Sequence, residues 1–289
     1  MKDQLGDRIK DFYEDRTRFK LARRTNTIIR VDGKAFHTYT KGLKRPFDEG
    51  LMEDMNKTTE YLCQNIQGAK FGYVQSDEIS ILITDYDDIS THAWFDGNLQ
   101  KMASIAASLA TARFNQLRLV RKQNEVYGNT SKYMTIDEID NFKLAMFDAR
   151  VFQIPYQEEV INYFIWRQQD ATRNSISSVA QAHFSTKELH GKKTNQMQDM
   201  LMLEKGINWN DFTPREKRGS IICKVEKTYM KLESGQTVQV DPTQVSSRTN
   251  DTFTRSKWQA DPETPIFTQE KGYLRWKMPQ ALDNYNYQY

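Results

Sequence analysis

Two stretches decide the fold: Ile28-Ile29-Arg30-Val31-Asp32-Gly33-Lys34-Ala35-Phe36-His37 and Tyr73-Val74-Gln75-Ser76-Asp77-Glu78-Ile79-Ser80. In each, an apolar run ends at an Asp where the chain turns polar. Thr27 to Val31 is a β-branched run stopped by Asp32-Gly33, which predicts a buried strand ending at a turn. Phe71 to Gln75 predicts a second strand, Ser76-Asp77 a tight turn, and the alternating Ile79, Ile81 and Ile83 a third strand, so the pair is a hairpin. Between strands one and two, Leu51, Met55, Thr58, Leu62 and Ile66 recur at helical spacing. A second helix from Asn98 carries Leu99, Met102, Ala106, Leu109, Ala110 and Phe114, and Lys143 to Pro155 supplies strand four.

The order β-α-β-β-α-β predicts an α+β fold with a ferredoxin-like core. A right-handed crossover makes strands one and two parallel, with strand three between them and antiparallel to both. The end of strand one then lies beside the start of strand three, although Asp32 and Asp77 are 45 residues apart in sequence. Neighbouring strands are about 4.8 Å apart, so two carboxylates placed there suit a hard cation such as Mg2+. A plainer reading stays open, in which Asp32 stops a strand and Asp77 serves the hairpin turn.

Composition narrows the class. With 289 residues, the chain is long enough for a sizeable core, arranged here as two packed parts, residues 1–155 and 156–289. A charged content of 27% and the lack of any run near the length of a membrane span exclude an integral helical membrane protein. Met1 to Asp7 lacks the apolar core of a signal peptide, which gives the expectation of a cytoplasmic setting. Cys63 and Cys223 stand alone, without metal-ligand spacing, and read as buried thiols. A net charge of +3 is too mild to demand a nucleic-acid partner. Basic clusters matter more: Arg16, Arg18, Lys20, Arg23 and Arg24; Arg113, Arg118, Arg121 and Lys122; and Arg215, Lys217 and Arg218. Each is either a phosphate-binding patch or a solvated face.

Outside the core, Asp3 to Leu21 predicts an amphipathic helix packed on the core edge through Leu5, Ile9, Phe12, Tyr13 and Phe19. Val160 to Gln181 predicts a long helix with an unusually polar face, Arg167, Gln168, Asp170, Arg173 and Asn174. That face serves either a nucleotide or RNA end, or an internal polar network. A further helix runs through Met197 to Leu203 and a strand spans Gly219 to Lys227. Gly191-Lys192-Lys193-Thr194 lacks the upstream glycine of a phosphate-binding loop and follows no strand, so that reading is rejected. Asp261 to Pro265 is a rigid break, and Asp283 to Tyr289 reads as a frayed end.

Three motifs in this order, Val31 to Phe36 (VDGKAF), Tyr73 to Ser80 (YVQSDEIS) and Tyr163 to Ile176 (YFIWRQQDATRNSI), closely resemble the tRNA-His guanylyltransferase family, including its Thg1-like proteins. The resemblance runs from about Lys20 to about Lys227. It implies a polymerase-like palm with additional helices and a C-terminal β-containing extension, adding nucleotides to tRNA 5′ ends in the 3′-to-5′ direction. Carried over by position, Asp32, the carbonyl of Gly33 and Asp77 would bind two Mg2+. The loop of Asp32, Gly33, Lys34, Ala35, Phe36 and His37, with Ser76 and Asp77, would hold the nucleotide. Glu78 is the adjacent acid, with a supporting catalytic role. ATP and GTP or another nucleoside triphosphate are the implied substrates, tRNA the partner, and a homotetramer the implied assembly.

One departure bears on specificity. Where tRNA-His-specific members carry His-Ile-Asn-Asn, this chain reads Thr172-Arg173-Asn174-Ser175. The Thg1-like branch, which repairs truncated tRNA 5′ ends on a template, is therefore the better match, with dedicated G addition to tRNA-His as the alternative. A non-catalytic RNA-recognition module would show an aromatic signature on a central strand, which this chain lacks. A nucleotide cyclase would be expected to carry a Gly-Gly-acid hairpin where this chain has Gln75-Ser76-Asp77-Glu78.

Overall fold

The computed structural model describes residues 4–128, 130, 132–232, 236–240 and 252–279; the segment Asp283 to Tyr289 lies outside them. In chain order the helices are α1 (Gln4–Ile9), α2 (Phe36–Tyr39), α3 (Glu49–Asn65), α4 (Leu99–Tyr127), α5 (Ile136–Asp140), α6 (Gln157–His183), α7 (Thr186–Leu189), α8 (Thr194–Lys205), α9 (Pro214–Arg218) and α10 (Lys271–Arg275). The strands are β1 (Thr27–Gly33), β2 (Ala69–Gln75), β3 (Glu78–Ile83), β4 (Phe147–Gln153), β5 (Ser220–Lys231), β6 (Thr237–Val240) and β7 (Thr252–Ala260).

All seven strands form one antiparallel-paired sheet in the order β4-β1-β3-β2-β5, with β6 and β7 both on β5. The first four strands of the chain and the helices between them follow the order expected from the sequence. β3 is buried along its whole length, because helices cover both faces of the sheet. On one face α3 and α4 enclose Ile29, Val31, Met55, Leu62, Ile79, Ile81 and Phe114. On the other, α6 and α10 enclose Ile28, Phe71, Tyr73, Leu82, Phe164 and Leu274. Side chains alternate across a strand, so Arg30 and Asp32 share the α6 face with Ile28.

Local signals set the helix starts. Asp48 caps α3 by accepting from Leu51 N–H at 2.7 Å, and Asn98 caps α4 by accepting from Lys101 N–H at 3.0 Å. α4 runs past Phe114 to Tyr127, beyond the apolar stripe that defines it in sequence. Beyond Phe114 it buries no side chain and is anchored instead by charge. The buried Asp54 carboxylate of α3 takes Arg118 at 3.1 Å and Arg121 at 2.9 and 2.8 Å.

The N-terminal segment departs from expectation. α1 is followed by a wider turn at Lys10–Glu14 and a tighter one at Asp15–Thr17, and none of the three buries a residue. Phe12 is 55% and Tyr13 69% exposed, so the stripe faces outward rather than the core edge. Only beyond it does the chain dock, through the Lys20 bridge to Asn98. Cys63 and Cys223 are both buried free thiols, and among the described residues no helix is long and apolar enough to cross a membrane.

Asp54→Ala would strand two guanidinium groups between α3 and α4. Loss of about 2–3 kcal/mol of stability is expected in urea unfolding, less than a fully buried orphaned pair costs because both arginines reach solvent. An unchanged midpoint would show that α4 is held by packing alone.

Candidate active site

The register of the sheet builds the site. Asp32 of β1 stands opposite Glu78 of β3 and opposite Asp148 of β4. One residue on, Gly33 N–H donates to the carbonyl of Asp77 at 3.1 Å, tying the end of β1 to the β2–β3 hairpin. Asp32 and Asp77 are thereby brought to neighbouring strand ends, as the sequence predicts. Ser76 holds the turn with φ +51°, a left-handed conformation that a non-glycine residue adopts at a cost of order 1 kcal/mol. Its hydroxyl donates to Asp77 Oδ1 at 3.1 Å. Burial pushes the Asp77 carboxyl above its usual range and the charge of Asp32 adds to the rise, against hydrogen bonds from its own backbone and Ser76.

These residues fit a divalent hard cation. Both donors are carboxylate oxygens, and their mutual repulsion is the term a cation would reverse. Among the described residues no group of three or more His, Cys, Asp or Glu side chains forms a metal cluster. Mg2+ takes one or two carboxylates and fills its shell with water and substrate phosphate, and Asp32 and Asp77 are two such carboxylates at neighbouring strand ends.

The loop after Asp32 is shaped by packing. Ala35 has φ +52° and opens the short helix α2, whose first N–H groups have no acceptor within the helix. Lys34 and His37 are exposed at the rim. The Phe36 ring points the other way, into a cluster with Tyr39, Phe114 and Phe147 at centroid distances of 4.9, 5.6 and 5.3 Å. A Cβ on Gly33 would lie 2.3 Å from that ring, so only glycine fits beneath it.

Glu78 is differently engaged. Its two oxygens accept from Arg167 Nε and Nη2 of α6, both at 2.7 Å, and Arg167 continues to Asp170 at 3.1 Å and Asp170 to Arg173 at 2.9 Å. The polar face of α6 is therefore largely an internal network. Gln168 belongs to it as well, donating to Pro265 C=O and accepting from Phe267 N–H, each at 2.8 Å.

Three features escape the sequence reading. Asp148 and Arg150 of β4 flank Asp32, with Arg150 Nη2 3.5 Å from its carboxylate; the alternation Phe147-Asp148-Ala149-Arg150 is the signal that would have found them. Arg30 Nε is buried without an acceptor among the described residues. A cavity of about 140 Å³ opens beside Ser76, walled by Phe47, Asp48, Leu51, Asn174 and Arg215.

The sequence profile described as tRNAHis guanylyltransferase matches residues 6–155. A bacterial tRNA(His) guanylyltransferase (Thg1)-like protein solved in complex with ATP superposes with a TM-score of 0.74 at 44% identity, covering 95% of this chain and 99% of that one. The chain belongs to the tRNA-His guanylyltransferase family. A GTP complex of a bacterial Thg1-like protein superposes with a TM-score of 0.70 at 42% identity, over 95% of this chain and 99% of that one. The Saccharomyces cerevisiae tRNA(His) guanylyltransferase is 24% identical over 68% of this chain and 81% of its own length. An uncharacterised protein of Acanthamoeba polyphaga mimivirus is 29% identical over 77% of each chain. This Thg1 family member is a nucleotidyltransferase with an α+β fold.

Gly33→Ala forces the Phe36 ring out of its cluster. A stability loss of about 1–3 kcal/mol is expected from such overpacking, read as a lower urea midpoint; a midpoint equal to wild type would mean that Phe36 yields freely.

Proposed function

We propose that this protein is a template-dependent nucleotidyltransferase that extends the 5′ end of tRNA in the 3′-to-5′ direction. The observation that carries the reading is the pair Asp32 and Asp77 at adjacent strand ends, locked by the Gly33 to Asp77 hydrogen bond, with a cavity of mixed polar and apolar walls at the neighbouring Ser76. Asp32, the Gly33 carbonyl and Asp77 would hold two Mg2+. When bound, the ions supply charge neutralisation at the attacking and leaving oxygens.

The chain's own residues do the rest by positioning. Lys34, the amides opening α2 and the unpaired Arg30 Nε offer positive potential to a triphosphate, and the cavity beside Ser76 offers a niche for its base. ATP and GTP complexes of the bacterial relatives support nucleoside triphosphates as substrates. In the proposed reaction a 5′-monophosphate end is first activated by ATP, with loss of pyrophosphate. The 3′-hydroxyl of an incoming triphosphate then attacks the activated phosphorus, and AMP leaves. A 5′-triphosphate end skips the first step and releases pyrophosphate. Glu78, fully engaged by Arg167, is a positioning residue that fixes α6 over the site.

Specificity follows from the α6 segment. Arg173 is paired to Asp170, and Ser175 accepts from Trp209 Nε1 at 3.0 Å, leaving Asn174 as the amide that lines the cavity. From the departure at Thr172-Arg173-Asn174-Ser175 we infer that the nucleotide is selected by base pairing with the opposite strand. The protein is proposed to be cytoplasmic and homotetrameric, and the exposed apolar stripe of Leu5, Ile9, Phe12 and Tyr13 is a surface that other copies could cover.

Asp32→Ala and Asp77→Ala should each cut transfer on the order of 10³-fold, the equivalent of several kcal/mol of charge stabilisation, while circular dichroism stays unchanged. Retained activity in Asp77→Ala would refute the two-metal assignment. In a mixture of tRNAs truncated at the 5′ end, sequencing of products should find the nucleotide that restores each Watson-Crick pair. Strong preference for full-length tRNA-His, with G added opposite A, would favour the dedicated guanylyltransferase.

A further inference from the structure

The basic clusters that stand out in the sequence are mostly engaged within the chain. Lys20 pairs with Asp96, Arg23 with Asp85, Arg118 and Arg121 with Asp54, and Arg215 with Glu49 and Glu53. A different set of cations is left open. β5 is twelve residues long, but only Ser220 to Ile222 pair with β2. Its remainder runs on as the centre of a three-stranded ribbon, with β7 on one edge and β6 on the other.

One face of that ribbon carries Lys227, Tyr229 and Lys231 from β5 and Phe253, Arg255 and Lys257 from β7, since Lys227 is opposite Arg255 and Tyr229 opposite Phe253. Among the described residues no carboxylate shares this face, and none of its four cations is in a salt bridge. Lys231, Arg255 and Lys257 are exposed. A like-charge pair directly across two strands opposes pairing, so the face carries a concentrated positive potential without internal compensation.

We propose that this ribbon face docks the phosphate backbone of a base-paired RNA stem whose 5′ end lies in the active site; the inference rests on the reading of that site as one acting on an RNA 5′ end. Geometry sets the distance. β5 begins level with Val74, at the hairpin end of β2, and at about 3.3 Å per residue Lys227 lies roughly 23 Å along the strand and Lys231 roughly 36 Å. A stem of about twelve base pairs covers that span at about 3 Å per pair. The ribbon lies on the side of the sheet that carries Asp32, beyond the part that α6 and α10 cover, so a stem reaching both crosses the outer surface of those helices.

The aromatic pair argues for a duplex rather than a single strand. Tyr229 and Phe253 stack on each other with centroids 5.8 Å apart and planes 19° apart, and Arg255 lies 4.8 Å from the Phe253 centroid. Single-strand binders leave ring faces open to bases. Here the rings hold Arg255 in place and its charge is what is presented, which suits phosphate contacts.

The test uses the full chain, without nucleotide, and a tRNA transcript lacking its first residue, with filter binding from about 50 to 300 mM NaCl. Each lost phosphate contact flattens the log-log salt slope by about 0.7–0.9. The triple variant Lys227→Gln, Arg255→Gln, Lys257→Gln should lose about 2–3 from the slope and bind roughly 10–100-fold more weakly at low salt. Binding of a hairpin with a four-base-pair stem, too short to reach, should be the same for both proteins. Lys257→Gln alone, at an exposed position, should flatten the slope by about 1, and Lys227→Arg should keep it. An unchanged slope, equal losses on the short hairpin, or capture of anionic phospholipid vesicles in place of tRNA would overturn the proposal. Because binding is read without catalysis, a chain that transferred no nucleotide yet lost the slope would refute the proposed activity and leave the docking surface standing.

Discussion

The hydrogen bond from Gly33 N–H to the Asp77 carbonyl closes the last step of the β1–β3 register, and the site depends on it. A strand shifted by one residue turns every side chain to the opposite face, which would send Asp32 into the apolar layer under α3 and α4. The register is fixed twice over. Ile29, Val31, Ile79 and Ile81 are fully buried on one face, and on the other Ser80 and Tyr163 share a 2.8 Å hydrogen bond while Glu78 grips Arg167. Breaking either set would cost core burial or strand a buried charge, so the chemistry inherits its geometry from the most stable part of the sheet.

The inner core was legible because its signals are local. β-Branched runs ended by Asp-Gly or Ser-Asp and a helical stripe from Leu51 to Ile66 place β1, α3 and the β2–β3 hairpin, and crossover handedness then juxtaposes two acids distant in sequence. What stayed hidden depends on partners far along the chain. Arg118 and Arg121 read equally as a phosphate patch or a solvated face until Asp54, more than sixty positions earlier, takes them up. Gln168 reads equally as a substrate contact or as part of an internal network until the segment at Pro265 and Phe267 arrives to satisfy both ends of its amide. The N-terminal helix was read correctly in kind and wrongly in place, since an apolar stripe does not say what covers it.

The same contrast divides the charges of the molecule. Arg118, Arg121 and Arg167, buried or half-buried, meet carboxylates because desolvating them alone is costly, and these bonds hold α4 to α3 and α6 to the hairpin. Cations along an exposed strand carry no such demand, and among the described residues those of the β5–β7 face have no carboxylate partner. The β5–β6–β7 ribbon combines exposure with a cross-strand pairing that works against its own stability.

Phe36 links the loop at the site to the body of the protein in a way that has thermal consequences. Its ring sits at once beneath Gly33 and within the cluster of Tyr39, Phe114 and Phe147, so the loop cannot move without disturbing α4 and β4. Warming that loosens this cluster would blur the loop's position while the sheet is still intact. Heat inactivation of this protein should therefore track the softening of one aromatic contact, ahead of the collapse of the fold as a whole.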